Sequence, residues 1–152
     1  MKKISITLFL FLCAVCGFTQ KSMQLEDAEK NEKFQKLDSL YKSGIHTDTT
    51  IAVFKNQEVY IAAYQEFIFQ LADFLAKNNF KWGKEVRCFN KIYFSKEGTV
   101  DYFLYNFKEG QLSDEQKVIF ATLLQRFIED AQFGLKADVP FSQCSPIKYR
   151  DL

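Results

Sequence analysis

Histidine occurs once in this chain, at His46, and proline twice, at Pro140 and Pro146. Beyond residue 19 no two cysteines stand as C-x-x-C. One histidine without such a pair leaves no ligand set with zinc-site spacing. The chain also has no G-x-S-x-G, no H-E-x-x-H, no phosphate-binding glycine loop and no Asp-rich calcium loop, so nothing marks a nucleophile elbow, a metalloprotease helix or a nucleotide cradle. The formal net charge is only +1, which gives no electrostatic case for nucleic acid or an anionic membrane surface. Nor does any uncharged apolar run approach the roughly 20 residues of a membrane-spanning helix. The expectation is a non-enzymatic domain with no metal, no cofactor and no nucleic-acid partner.

What is present begins with export. Lys2 and Lys3 precede the uncharged run Ile4 to Cys16, and small residues follow at Gly17 and Thr19. A positive start, about a dozen apolar residues and a small-residue cleavage site describe a secretion signal. Residues 1–19 therefore read as a signal peptide cut after Thr19, and the location as periplasmic or secreted. An uncleaved anchor is a rival, as is a lipid-modified Cys13 or Cys16, but the residues before either cysteine fit a lipoprotein signal poorly. Losing Lys2 and Lys3 turns the net charge slightly negative. What remains is one domain's length of chain, with no further membrane span.

Cleavage leaves Cys88 and Cys144. In an oxidising compartment they are candidates for one disulfide, worth about 4 kcal/mol for a loop of this length. The alternative is two separate buried thiols behaving as small hydrophobes.

Apolar spacing at Phe34, Leu37 and Tyr41 predicts a helix over about 25–42, stopped by Gly44. Residues 20–44 thus form an N-terminal helical segment ahead of a domain over 45–152. Ile45 to Asp48 reads as a loop. The strongest helix is predicted over 56–77, where Tyr60, Tyr64, Phe67, Leu71 and Leu75 recur at steps of three and four. Val86 to Phe94 and Thr99 to Phe107 are rich in aromatic and β-branched residues, and Gly98 lies between them, as in a β-hairpin. Ser113 and Gln116 form a capping box before a helix over 114–131. Phe141 to Tyr149 reads as a last strand in which Pro146 requires an edge position or a break. The order is α-α-β-β-α-β: an α+β domain with a small antiparallel sheet packed against helices.

Both hairpin strands carry apolar or aromatic residues on both faces, whereas a sheet with one wet face alternates cleanly. Either helices cover both faces, or an aromatic face binds a ligand. On the second reading Phe89, Tyr93, Phe103 and Tyr105 form a small-ligand or glycan surface. His46, two residues from Asp48, reads as a solvated loop histidine. Asp38-Ser39-Leu40 and Asp48-Thr49-Thr50 resemble the short acceptor pattern of O-glycosylation in exported Bacteroidetes proteins.

The stretch Ile92-Tyr93-Phe94-Ser95-Lys96-Glu97-Gly98-Thr99-Val100, the capped helix from Ser113, and Phe127 through Phe133 to Pro140-Phe141 resemble the C-terminal domain of TonB over about residues 91–149. Asn79-Phe80-Lys81-Trp82-Gly83 stands where that family has a Tyr-Pro element. The resemblance implies a β-β-α-β unit and a partner segment docked on a sheet edge. It does not imply energy transduction. It places the binding edge on the last strand, with Gln143, Ile147 and Tyr149 as candidate binding residues and an envelope protein or peptide as partner. The hairpin and the ending Phe141-Ser142-Gln143-Cys144-Ser145-Pro146 are also similar to uncharacterised exported Bacteroidetes proteins.

Overall fold

The computed structural model describes residues 21–152, the Lys33 side chain aside; the signal segment lies outside the described residues. In chain order the elements are β1 (Ser22–Gln24), α1 (Leu25–Glu29), α2 (Glu32–Gln35), α3 (Leu37–Leu40), β2 (Lys42–Ser43), α4 (Gln57–Lys77), β3 (Val86–Phe94), β4 (Val100–Phe107), α5 (Asp114–Asp130) and β5 (Phe141–Tyr149). The strands form one sheet in the order β1-β4-β3-β5-β2. The fold is α+β, as expected.

The long elements start where their sequences allow. The Asn56 side chain accepts the Val59 N–H and caps α4, and Asn79 follows the helix with φ of 60°. At α5 both halves of the capping box form: the Ser113 hydroxyl accepts from the Gln116 N–H, and the Gln116 side chain accepts from the Ser113 N–H. Two orphan N–H groups are thereby satisfied. Gly98 turns the hairpin at φ of 89°, and a Cβ there would lie 2.7 Å from the Phe133 carbonyl oxygen. Both the backbone conformation and the close chain approach require glycine.

Two expectations are corrected. The helix over 25–42 is three short helices flanked by two short strands, and these strands pair in parallel: β1 with β4 and β2 with β5. The sheet is therefore antiparallel only through β4-β3-β5, and residues 22–43 supply both of its edges. These strands escaped notice because edge strands of two or three residues carry no readable period.

Cross-strand partners share a sheet face. The register Cys88↔Phe107, Asn90↔Tyr105, Ile92↔Phe103 sets one face against α4 and α5. Phe67, Phe94, Phe103, Phe120, Phe133 and Phe141 are fully buried there. Each contributes about 1.5–3 kcal/mol of apolar burial. On the opposite face Tyr93 and Leu104 lie under Ala28, Phe34 and Leu37 of the N-terminal helices.

The second correction concerns the cysteines, which are unbonded. Cys88 pairs with Ile147, whereas Cys144 pairs with Lys91. They are offset by three register positions, about 10 Å along the strands, and lie on opposite faces. A disulfide would need their Cα atoms within about 7 Å.

Candidate functional site

The four aromatics expected to form a ligand surface are separated. Phe103 and Tyr105 are buried under α4 and α5. Tyr93 is 1% exposed beneath the N-terminal helices, and only Phe89, 39% exposed, is open. The reason is register: Ile92 and Asn90, not Phe89 and Tyr93, stand opposite Phe103 and Tyr105. A cluster drawn across the hairpin without its register mixes the two faces.

The last-strand residues sit differently. β5 pairs with β3 along its whole length, from Phe141↔Phe94 to Tyr149↔Val86. Its other side meets β2 only at Phe141 and Ser142. There the Lys42 N–H donates to the Pro140 carbonyl and the Gly44 N–H to the Ser142 carbonyl. Even-numbered residues therefore turn their backbone groups outward, and alternation extends this to Cys144, Pro146 and Lys148. Their outward backbone groups have no strand partner among the described residues. Pro146 lies where its missing N–H costs no ladder bond, as an edge position allows. Gln143 and Ile147 are half-buried on the α4 side of this edge, and Tyr149 is buried. The open edge is thus Gln143 to Lys148, with Tyr149 as an anchor beneath it.

That anchor belongs to a buried polar cluster. The Asn90 amide donates to the Tyr149 hydroxyl at 2.6 Å, and the Cys88 thiol donates to the Asn90 side-chain oxygen at 3.1 Å. The Tyr64 and Ser145 hydroxyls bond to each other, tying α4 to β5. Burial pushes the Cys88 thiol up to about 12 and the Tyr64 hydroxyl to about 12, so both are neutral donors across the physiological range. Trp82 stacks on the Tyr149 ring at 4.9 Å.

Two cavities flank β2. One, of about 950 Å³, lies among Tyr41, Lys42, Ile51, Phe54, Lys55 and Lys136. Two of its cations are committed. The Lys55 ammonium donates to the carbonyls of Thr49, Thr50 and Ala52, and Lys136 pairs with Glu97. The other, of about 330 Å³, lies where β2 leaves β5 and brings His46 and Cys144 together with Ser43 and Gln57. Sequence reading missed this meeting because the two residues are far apart in the chain. There His46 Nδ1 accepts the Asp48 N–H at 2.9 Å, so that ring nitrogen is already engaged. Burial also raises the Cys144 thiol, although Lys91 pulls the other way.

Among the described residues no group of His, Cys, Asp and Glu could hold a metal ion, and no helix is long and apolar enough to cross a membrane. No family model, curated protein or solved structure matches the chain.

Proposed function

We propose that this is an exported, non-enzymatic envelope domain that binds an extended segment of another protein by adding it as a strand to the outer edge of β5. The observation that carries the reading is the half-paired last strand: nine residues stand in register with β3, and only the first two with β2. Main-chain groups left at such an edge supply affinity, and alternate side chains supply specificity. Proline and lysine on an edge also suppress indiscriminate pairing. Pro146 and Lys148 therefore let the edge stay open without promoting aggregation. The β3-β4-α5-β5 order is that of the TonB-like resemblance, which points to the same strand. Glycan binding by an aromatic sheet face has no matching surface, because the aromatics are divided between two faces.

A photo-reactive residue at Lys148, and a control at the exposed helix position Val118, tests this in the native envelope. The expected result is one protein captured from position 148 and not from 118, with capture lost in Cys144→Pro. That proline removes an outward N–H while leaving the bonds to β3. Equal capture from both positions, or capture indifferent to the proline, overturns the reading. N-terminal sequencing of the envelope fraction should begin at Gln20 if residues 1–19 are removed.

A further inference from the structure

We infer that the segment accepted by this edge is amphipathic, with aliphatic side chains alternating with acidic ones. The inference rests on the strand-addition reading and adds the chemistry of the partner.

An added strand presents alternate side chains to the two sides of the sheet. On one side runs α4. Gln57 reaches the cavity beside Ser142 to Cys144, Tyr64 bonds Ser145, and Ala72 lies near Arg150 and Asp151, so α4 follows β5 along its length. Residues 57, 61, 64, 68 and 72 share one helical stripe. Phe67 and Phe74, which meet Phe127 of α5, lie on the other flank of the helix. The stripe beside the open edge therefore presents Ile61, 42% exposed, and half-buried Ile68, with half-buried Ile147 of β5 next to them. Beyond Gln57 and Gln143 at its β2 end, this wall is aliphatic at Ile61, Ile68 and Ile147 and only partly covered. Side chains turned toward it gain by being apolar.

The opposite side is cationic. Cys144, Pro146 and Lys148 line the strand itself, and Lys91, Phe89 and Arg87 of β3 stand directly beside them in register. Lys91 is bonded to Asp38 at 2.7 Å and Lys148 to Glu85 at 3.2 Å. Arg87 has no ion pair among the described residues. Three cations thus face two carboxylates around exposed Phe89. Solvent-exposed pairs such as Lys148 with Glu85 are weak, so Lys148 can exchange partners. Opposite charges directly across a strand pair are favourable and like charges are not. An acidic side chain across from Lys148 fits, and a basic one does not. The end of β2 at Ser43 blocks the edge beyond Gln143, which limits the accepted segment to about the six or seven residues of the open stretch.

The test uses three fluorescein-labelled, end-blocked octapeptides in which valine alternates with glutamate, serine or lysine, titrated against the purified protein by anisotropy. The glutamate peptide is expected to bind on the order of tenfold more tightly than the lysine peptide, with serine between them. Near-molar salt should compress that order. Arg87→Glu with Lys148→Glu should invert it, and Ile61→Ser should weaken all three peptides several-fold. Cys144→Pro should abolish binding while its own melting temperature stays near that of the unmodified protein, which controls for folding, and Cys144→Ser, which keeps the N–H, should retain binding. Equal affinity for the three peptides, all lost in Cys144→Pro, overturns the acidic pattern and leaves strand addition standing. Glutamate-peptide binding that survives Cys144→Pro reduces the site to surface charge and overturns both readings, as does no binding by any peptide.

Discussion

On the α4–α5 face of the sheet, Phe67, Phe94, Phe103, Phe120, Phe133 and Phe141 are closed off from solvent and meet one another ring against ring, as at Phe94 and Phe133, 4.8 Å apart. On the opposite face the buried set among the described residues is Ala28, Phe34, Leu37, Tyr93 and Leu104, and polar ties do much of the holding. Tyr41 donates to Asp101 at 2.9 Å, and Asp38 accepts from Lys91 and Tyr93 at 2.7 and 2.9 Å. The first face is a cooperative core. The second is a strap, and it reaches β5 only at Phe141 and Ser142, so Phe89, Cys144, Pro146 and Lys148 remain open. The difference teaches where function can sit. A fully packed face leaves no surface, whereas a strap that covers part of a sheet leaves an edge.

The sharpest way to break this comparison is to hollow each face in turn. Phe103→Ala on the core face should cost about 3–5 kcal/mol, read as a shift in the denaturation midpoint and a much lower melting temperature. If the cost falls below about 2 kcal/mol, the core face is not the dominant one. Leu37→Ala in the strap should cost about 2 kcal/mol, the low end for a leucine cavity, since the partly buried Met23, Leu25, Tyr41 and Tyr102 around this small cluster can collapse into it. Amide exchange should rise along residues 22–43 while α4 stays protected. Loss of protection in α4 would instead make the two faces one cooperative unit.

The same contrast explains what could be read from the amino acids. α4, the β3–β4 hairpin, α5 and β5 are legible because each is long enough to show its period and carries its own signal: the apolar steps from Tyr60 to Leu75, Gly98, the Ser113–Gln116 box and Pro146. β1 and β2 carry none. Ser22–Gln24 is a strand only because Phe103 to Tyr105 lies beside it, and Lys42–Ser43 only because Phe141 does. The candidate edge was legible through Pro146. The false aromatic cluster and the false disulfide share one cause, because strand register, across the β3–β4 hairpin as between β3 and the distant β5, is not encoded in either strand's own pattern. The Cys144–His46 neighbourhood is hidden for the same reason.

A smaller effect sharpens the core side. Ser113→Ala removes the acceptor for the Gln116 N–H at the start of α5 and should cost about 1 kcal/mol. The Gln116 side chain would still accept from the backbone N–H of residue 113 and donate to the Lys81 carbonyl at 3.0 Å. Fraying should therefore stay within the first turn. Loss of helicity throughout α5 would show that the box nucleates the helix as well as finishing it.

The mildest prediction concerns the strap alone and is set by pH. Burial works to raise the Asp38 carboxyl, but the hydrogen bonds from Lys91 and Tyr93 and the charge of Lys91 outweigh it, and the group sits below its ordinary value of 3.8. A carboxyl depressed in the folded state contributes stability that is complete above its unfolded value and is lost as pH falls through the folded one. The tie between α3 and β3 should therefore be intact at neutral pH and weaken as pH drops below 3.8, the protonated carboxyl holding Lys91 far less strongly. Asp38 is largely open to solvent, so the loss should be local, raising amide exchange in residues 37–43 while Tyr93 stays buried by its apolar neighbours. Asp38→Asn should show the looser strap already at neutral pH and should remove most of the acid response. If acid loosens residues 37–43 equally in the variant, the tie to Lys91 and Tyr93 is not what fastens the strap, and the Tyr41–Asp101 bond on the same face is the next to test.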